Sequence, residues 1–396
     1  MQRIGIYGGA FNPPHLGHSR AAAYAVTALN LDKLLLIPSC TSPHKPLPPG
    51  SPTPAQRLEM VSLWAGEKMQ VSDIELSRGG TSYTYQTLAE LKKQYPADEL
   101  ILCMGTDMFL SFHAWKEPEQ ILQNASLAVF YRGDRGEIAD IDARRKEYEA
   151  KGHTIYLVEN PVTEISSTQL RRMLVFGCAA PFLDEKVLAY IHEKGLYGTK
   201  EDYKNLSMEE LEKVVVNLLN PNRVKHVLGC RDTAAELAKV WGTDETDAAR
   251  AGLLHDITKA LDGPLQLTLC SEYGKVLDDF SAQNPKTLHA LTGSLVAQRI
   301  FGENDAVVAS IESHTTGKPN MNTLEKIIYV ADYMEPNRDF PGVEQLRRLA
   351  YTDLDGALKL GLEMTLAMLK EQKRQISPAS SQALEYLNRQ AAERKE

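Results

Sequence analysis

Two groups of residues carry side chains whose types and spacing suit chemistry. The first is Gly8-Gly9-Ala10-Phe11-Asn12-Pro13-Pro14-His15-Leu16-Gly17-His18, which follows directly on the apolar run Ile4-Gly5-Ile6-Tyr7. Glycines let a backbone approach an anion closely, and a helix starting just after them adds inward N–H groups and a positive dipole end. His15 and His18 are three apart, so a helix that starts near His15 puts both on one face of its first turn. Two imidazoles beside a polyphosphate can donate hydrogen bonds to oxygens that gain charge during transfer. The chemistry this predicts is phosphoryl or nucleotidyl transfer.

The second group is His226, His255-Asp256, His289, His314 and Asp332. His255-Asp256 reads as lying in the middle of an apolar helix, and Asp332 interrupts the run Ile327 to Ala331. Carboxylates in apolar surroundings need a compensating charge, and a metal supplies it. Four imidazoles and two carboxylates are too many ligands for one tetrahedral zinc. They suit two adjacent divalent ions bridged by an aspartate, with iron or manganese favoured over magnesium by the mixed N/O donors. Such a pair activates water and clamps phosphate oxygens, so the expected reaction is hydrolysis of a phosphate ester or phosphoanhydride.

The elements that must position these groups differ between the two halves. In the first, strand-like runs at Arg3 to Tyr7, Lys33 to Pro38, Gln70 to Val71, Glu99 to Met104, Ser126 to Tyr131 and Thr154 to Val158 alternate with helical patterns such as Ser19 to Leu29, Pro54 to Ala65 and Thr84 to Gln94. Alternation of this kind predicts a doubly wound α/β domain with a parallel sheet. After Gly198 the strand pattern stops, and Ser207-Met208-Glu209-Glu210 forms a capping box that opens a helical half. The spacing there predicts helices over Glu209 to Leu219, Asn222 to Val240, Thr246 to Leu254, Thr287 to Ile300, Asp305 to Ser313, Leu324 to Met334 and Asp355 to Gln375. The fold class is therefore α/β plus all-α, with domains at 1–198 and 203–396. The charged end, Gln382 to Glu396, reads as a solvated helix.

A chain of 396 residues exceeds what one core usually organises, which agrees with two domains. Its net charge of −8 disfavours a nucleic-acid partner. The five cysteines are widely spaced and form no C-x-x-C pair, so they read as reduced residues of a cytoplasmic protein. No apolar run is long enough to span a bilayer and the N-terminus lacks the plan of a signal peptide, so no membrane partner is expected. The oligomeric state is not legible.

Gly9 to His18 resembles the G-x-F-x-P-x-H-x-G-H signature of the Rossmann-like nucleotidyltransferase superfamily. A second signature, I-S-S-T-x-x-R, stands intact at Ile165-Ser166-Ser167-Thr168-Gln169-Leu170-Arg171. Its hydroxyls at a helix N-terminus and its arginine one turn on form another anion site, suited to the β- and γ-phosphates of ATP. Ser42 to Pro46, Thr81 to Leu88, Met104-Gly105-Thr106-Asp107, Trp115 before a lysine, and Val129-Phe130-Tyr131-Arg132 are similar to the bacterial nicotinate-nucleotide adenylyltransferases. That resemblance covers about residues 2–197. It implies that Gly8, Gly9, Ala10, Phe11, Ser166, Ser167 and Thr168 cradle the phosphates, and that His15, His18, Lys45 and Arg171 act on the triphosphate. It also implies that Asp107, beside Gly105, holds the nucleotide sugar and that Thr84, Trp115 and Arg132 meet the pyridine carboxylate. The family reaction takes Mg2+-ATP and nicotinate mononucleotide to deamido-NAD and pyrophosphate. Ala10 stands where a hydroxyl residue is frequent, which removes a side-chain contact and leaves the backbone cradle.

The order H…HD…H…H…D resembles the HD-domain metal-dependent phosphohydrolases. Around His289, His314 and Tyr329 to Arg338 it is similar to the bacterial HD proteins that split diadenosine tetraphosphate into two ADP. This second resemblance runs over about residues 210–375. It implies His226, His255, Asp256 and Asp332 on one iron, and His289 and His314 with bridging Asp256 on the other; Lys259 and Arg338 would meet the polyphosphate. Two alternatives stay open for this half: a nucleotide-sensing regulatory module, or hydrolysis of a different nucleotide.

Overall fold

The computed structural model describes residues 1–43, 46–131, 135–160 and 165–393. Backbone contacts divide the chain into two units, Met1–Glu201 and Asp202–Glu396.

In the first unit, β1 (Arg3–Gly9), β2 (Lys33–Pro38), β3 (Met69–Val71), β4 (Glu99–Gly105), β5 (Ser126–Tyr131) and β6 (Ile155–Glu159) form a parallel sheet in the order β3-β2-β1-β4-β5-β6. Alternate residues of one strand serve opposite faces. Leu35 and Ile37 pack with Leu88 and Leu91, while Leu34 and Leu36 pack with Ala22, Ala25 and Val61. Helices therefore cover both faces, as parallel sheets require. At Gly5 a methyl group would come within 2.5 Å of Leu31 and 2.6 Å of Leu34, so the absence of a side chain lets this face close. The chain winds outward from β1 to β3 and then returns to the far side of β1 as β4. Strand order reverses there, and the crevice at the carboxyl ends of β1 and β4 is where such folds bind ligands.

Two local differences from the sequence reading bear on the site. Strand β1 runs on through Gly8 and Gly9, which pair with Ile37 and Pro38, so these glycines belong to the strand end and not to the turn. The first helix begins at Leu16 and not at Ser19: His15 is its N-cap, and His18 at the third position reaches back so that its Nδ1 accepts from the His15 amide.

The second unit is helical among the described residues. The helices Val224–Trp241, Glu245–Leu254, Leu288–Arg299, Asp305–Ser313 and Thr323–Met334 surround the histidines and aspartates. The Glu245–Leu254 helix ends before His255, which is its C-cap and leads into a turn. His255-Asp256 thus sits at a helix end, correcting the mid-helix reading; Ile257 and Thr258 are buried in the following turn, and that burial extends the apolar pattern past the helix. Gly252 allows a close approach of helices: a Cβ there would lie 2.9 Å from Arg231 Cα and from the Cys230 carbonyl oxygen. The last helix, Pro378–Glu393, buries Ser380, Ala383 and Leu387, so this end is packed on one side and is not fully solvated.

Candidate active sites

The first site is the crevice between β1 and β4, a cleft of about 430 Å3. Gly8, Gly9 and Ala10 line it from β1 and its turn, and Gly105 from the end of β4. Ser166, Ser167, Thr168 and Arg171 line it from the start of the Ser167–Val175 helix, with Thr84 and Trp115 completing the wall. Asp107 lines a smaller adjoining pocket together with Tyr7 and Gly105. Lys45 and Arg132 lie outside the described residues.

The turn after β1 is held from several sides. Arg171 Nη1 donates to the Asn12 carbonyl at 2.7 Å, and Ser167 Oγ to the Pro13 carbonyl at 3.1 Å. Tyr197 Oη donates to Asn12 Oδ1 at 2.9 Å. Arg57, fully buried, donates to the Ala10 carbonyl at 2.8 Å and to the Cys40 carbonyl at 3.2 Å. Neither Arg57 nor Tyr197 belongs to the motifs read from the sequence. Ser166 Oγ accepts from the Gln169 amide as N-cap, and Thr168 Oγ1 accepts from Arg171 Nη2. The I-S-S-T-x-x-R segment therefore also builds the wall and clamps the cradle.

His15 and His18 are not among the residues that line the cleft; their ring centroids lie 3.7 Å apart. His18 Nδ1 accepts from the His15 amide at 3.2 Å, and its ring meets the buried Phe11 edge-on. Burial pushes the His15 imidazole down to about 4, and burial together with the neighbouring His15 pushes His18 well below the usual histidine range. Both rings are thus neutral near pH 7. His15 Nδ1 is buried with no protein hydrogen-bond partner. A buried, unpartnered ring nitrogen calls for a polar partner, and a ligand atom is one that would supply it.

In the second unit the six expected side chains meet around Asp256, which is 1% exposed. On the Oδ2 side lie His226 Nε2 at 3.7 Å and His255 Nε2 at 3.5 Å. Asp332 Oδ1 joins this group, 3.1 Å from His226 Nε2 and 3.8 Å from His255 Nε2. On the Oδ1 side lie His289 Nε2 at 3.5 Å and His314 Nε2 at 3.9 Å. Asp256 Oδ1 is buried and accepts no hydrogen bond.

The outer nitrogens fix the rings. Nδ1 of His255, His289 and His314 each donates to the carbonyl three residues earlier, of Gly252, Lys286 and Ile311, at 2.7, 3.0 and 2.7 Å. His226 Nδ1 faces Glu335 Oε1 at 3.1 Å. These bonds turn every Nε2 lone pair inward, the outer-shell arrangement that orients metal-ligating histidines. Burial pushes His289 down to about 3, helped by Lys259 and His314, and pushes His314 down to about 4, helped by His255. Both are therefore neutral ligands. Burial opposes ionisation of Asp256, yet His255, His289 and Lys259 hold it well below the ordinary carboxylate range. Asp332 is held low in the same way by His226, His255 and Arg338. A buried oxygen without a hydrogen bond, neutral His289 and His314, and ionised carboxylates make a donor set that fits divalent ions, and the structure has a possible His/Asp metal site here.

Four residues to which the sequence reading gave no role complete this site. Glu335 orients His226. Cys230 Sγ lies 3.8 Å from His226 Nε2, one helical turn along. Thr315 Oγ1 is 3.1 Å from both His289 Nε2 and His314 Nε2. Arg223 pairs with Asp256. Of the expected cations, Lys259 Nζ reaches His289 Nε2 at 2.9 Å and Arg338 Nη2 donates to Asp332 Oδ1 at 2.6 Å. Arg223 and Cys230, each about one turn from His226, carry a sequence signal among the four, a cation and a thiol at helical spacing from a ligand.

Comparison with known proteins agrees with this division. Residues 6–173 match the cytidylyltransferase-like family, and residues 223–337 match the HD domain. The chain is 37% identical to the probable nicotinate-nucleotide adenylyltransferase of Dictyoglomus thermophilum over 198 residues, 49% of this chain and 99% of the relative. It is 40% identical to the symmetrical bis(5′-nucleosyl)-tetraphosphatase of Halalkalibacterium halodurans over 161 residues, 40% of this chain and 86% of the relative. A crystal structure of a predicted HD superfamily hydrolase involved in NAD metabolism, from Clostridium acetobutylicum, aligns at TM-score 0.46 with 38% identity, over 47% of this chain and 98% of that one. With each relative spanning one half, the chain belongs to the nicotinate-nucleotide adenylyltransferase family in its first half and, in its second, to the HD-domain family that includes the symmetrical tetraphosphatases.

Proposed function

We propose that the chain is a bifunctional enzyme. Its first half transfers the adenylyl group of Mg2+-ATP to nicotinate mononucleotide, giving deamido-NAD and pyrophosphate. Its second half hydrolyses diadenosine tetraphosphate symmetrically to two ADP at a dinuclear centre of iron or manganese.

For the first half, the supporting observation is one cleft that gathers the β1 cradle, the Ser166 to Arg171 segment, Thr84 and Trp115. In the reaction a 5′-phosphate oxygen of nicotinate mononucleotide attacks the α-phosphorus of ATP, the bond to the β-phosphate breaks, and pyrophosphate leaves. No group on the protein becomes covalently attached, so its contribution is alignment and charge stabilisation. Neutral His15 and His18 act as hydrogen-bond donors to phosphate oxygens, and Arg171 and Lys45 offset the growing charge. Asp107 holds the sugar; Thr84, Trp115 and Arg132 select the pyridine carboxylate.

For the second half, the supporting observation is Asp256, with one oxygen toward each of two ligand groups. His226, His255 and Asp332 would hold one ion and His289 and His314 the other, with Asp256 shared. Bound ions would polarise the phosphate and lower the pKa of water. Lys259 and Arg338 bind phosphate oxygens.

No helix of the described residues is long and apolar enough to cross a membrane, and the five cysteines are free. We take the cytoplasm as the working compartment. Incubation of the intact chain with Mg2+-ATP and nicotinate mononucleotide should yield deamido-NAD and pyrophosphate; no product would overturn the first assignment. Diadenosine tetraphosphate should give ADP alone, and ATP plus AMP in its place would overturn the second.

A further inference from the structure

Cys230 is buried one helical turn after His226 in the Val224–Trp241 helix, with Sγ 3.8 Å from His226 Nε2. It is one of four side chains, with His226, His255 and Asp332, whose donor atoms all lie within 4.8 Å of one another. The other three already form an unbalanced group. Nδ1 of His226 donates to the Glu335 carboxylate and Nδ1 of His255 to the Gly252 carbonyl, so in the neutral rings both Nε2 atoms are acceptors. These two nitrogens stand 3.3 Å apart, and Asp332 Oδ1 is 3.1 Å from the first of them. Three acceptors turned toward one another call for a cation among them.

A thiol beside them changes which cation is favoured. The contacts of the Cys230 sulfur are long, 3.8 Å to the Ala331 carbonyl and 3.8 Å to His226 Nε2, and a bound divalent ion deprotonates a coordinating thiol outright. Thiolate selects zinc over manganese, which prefers carboxylate, carbonyl and water oxygens. One sulfur, two imidazole nitrogens and one carboxylate oxygen make a complete tetrahedral set for zinc, and four protein ligands leave no open position for water. His289 and His314, facing Asp256 Oδ1, bring nitrogen and oxygen donors, so the two sides of the centre differ in the ion they favour.

We infer that His226, Cys230, His255 and Asp332 form a zinc site of the second unit, and that zinc held there is an inhibitory ion because its coordination is closed. The inference rests on the metal-centre reading of this half. Its rival is that Cys230 is a packing thiol of the helix interface.

The test uses the intact chain stripped of metal, as wild type and as Cys230→Ser. Co2+, added stoichiometrically, is the spectroscopic stand-in for zinc. Wild type should show the near-ultraviolet thiolate-to-cobalt charge-transfer band, and Cys230→Ser should lose it. Zinc affinity, read by chelator competition, should fall in Cys230→Ser by at least the roughly 10- to 100-fold that an outer-shell partner is worth. Mn2+ affinity should be retained, which also shows that the variant is folded. During hydrolysis of diadenosine tetraphosphate with Mn2+, added zinc should inhibit wild type, and Cys230→Ser should need more zinc by the same factor. A cobalt-loaded wild type without the thiolate band, a band that persists in Cys230→Ser, or equal zinc affinities would overturn the site. Equal inhibition of the two chains would overturn the inhibitory role. Loss of Mn2+ and zinc binding together in Cys230→Ser would assign Cys230 to packing and overturn both. Wild type that binds neither zinc nor Mn2+ would bring down the metal-centre reading itself. Failure of wild type to hydrolyse diadenosine tetraphosphate would bring down the proposed substrate, and the cobalt spectrum would still decide the role of Cys230.

Discussion

Glu335 Oε1 faces His226 Nδ1 at 3.1 Å across 109 residues of chain, and it holds the imidazole with its other nitrogen toward Asp332 and Asp256. Glu335 is 1% exposed, and its second oxygen accepts from the Asn337 backbone amide at 2.7 Å and side-chain amide at 2.8 Å. A carboxylate in this position fixes the tautomer and makes Nε2 a better donor to a cation. Glu335→Gln keeps the shape and removes the charge. Metal affinity should fall by roughly 10- to 100-fold, the usual cost of losing an outer-shell partner. Chelator competition on the full chain reads this directly, and wild-type affinity in the variant would show that Glu335 does not tune His226.

Gly252 links packing to the same centre. Its missing side chain permits backbone contact between the Glu245–Leu254 and Val224–Trp241 helices, and its carbonyl accepts from His255 Nδ1 at 2.7 Å. In Gly252→Ala the new methyl group would meet Arg231 Cα and the Cys230 carbonyl at 2.9 Å, and backbone atoms cannot swing away. Overpacking of this kind costs about 1–3 kcal/mol, partly offset by the roughly 1 kcal/mol by which alanine favours a helix. We expect a net loss of stability in urea titrations together with weaker metal binding, because His255 moves with its helix end. A variant as stable as wild type, with full metal content, would contradict this account.

The regular parts of the fold are legible because burial is regular. Strands β2 and β5 are apolar on both faces, so Lys33 to Pro38 and Ser126 to Tyr131 stand out as short runs. The same logic misplaced His255-Asp256, since Ile257 and Thr258 are buried in a turn and mimic a continuing helix. The histidines and aspartates are visible as ligands because they interrupt apolar sequence. Arg57 and Glu335 are not, because a lone charge inside or just past a helical pattern looks like an ordinary surface residue. Only the three-dimensional path shows Arg57 reaching the Ala10 carbonyl and Glu335 reaching His226.

Arg57 yields a prediction specific to the first half. Its guanidinium is buried and spans the Ala10 and Cys40 carbonyls, so it fixes the cradle without lining the cleft. Arg57→Met keeps much of the apolar stem and leaves both acceptors unpaired, at about 1–3 kcal/mol each where they stay dry. The cradle should loosen, raising KM for ATP and lowering adenylyl transfer, while hydrolysis of diadenosine tetraphosphate by the same chain is retained. Parallel assays of one preparation check this. Loss of both activities together would mean that the whole chain had failed to fold.

The neutral His15 gives a pH signature with a definite sign. Its imidazole titrates at about 4 in the folded chain, against about 6.5 when unfolded. Between those values the unfolded state binds the extra proton, so stability rises with pH through the window and is complete above about 6.5. As pH falls from 6.5 to 4 the first unit should lose up to about 3 kcal/mol from this residue, at 1.36 kcal/mol per unit. His18, also pushed down by burial, adds to the loss in the same direction. Urea titrations of the full chain at a series of pH values should show the fall, and His15→Gln should flatten it. Proton NMR of the native chain should meanwhile show no titration of the His15 ring between about pH 5 and 8. A midpoint near 6.5 would mean that His15 is solvated and charged in the folded protein, and its role as a neutral donor to phosphate would fail with it.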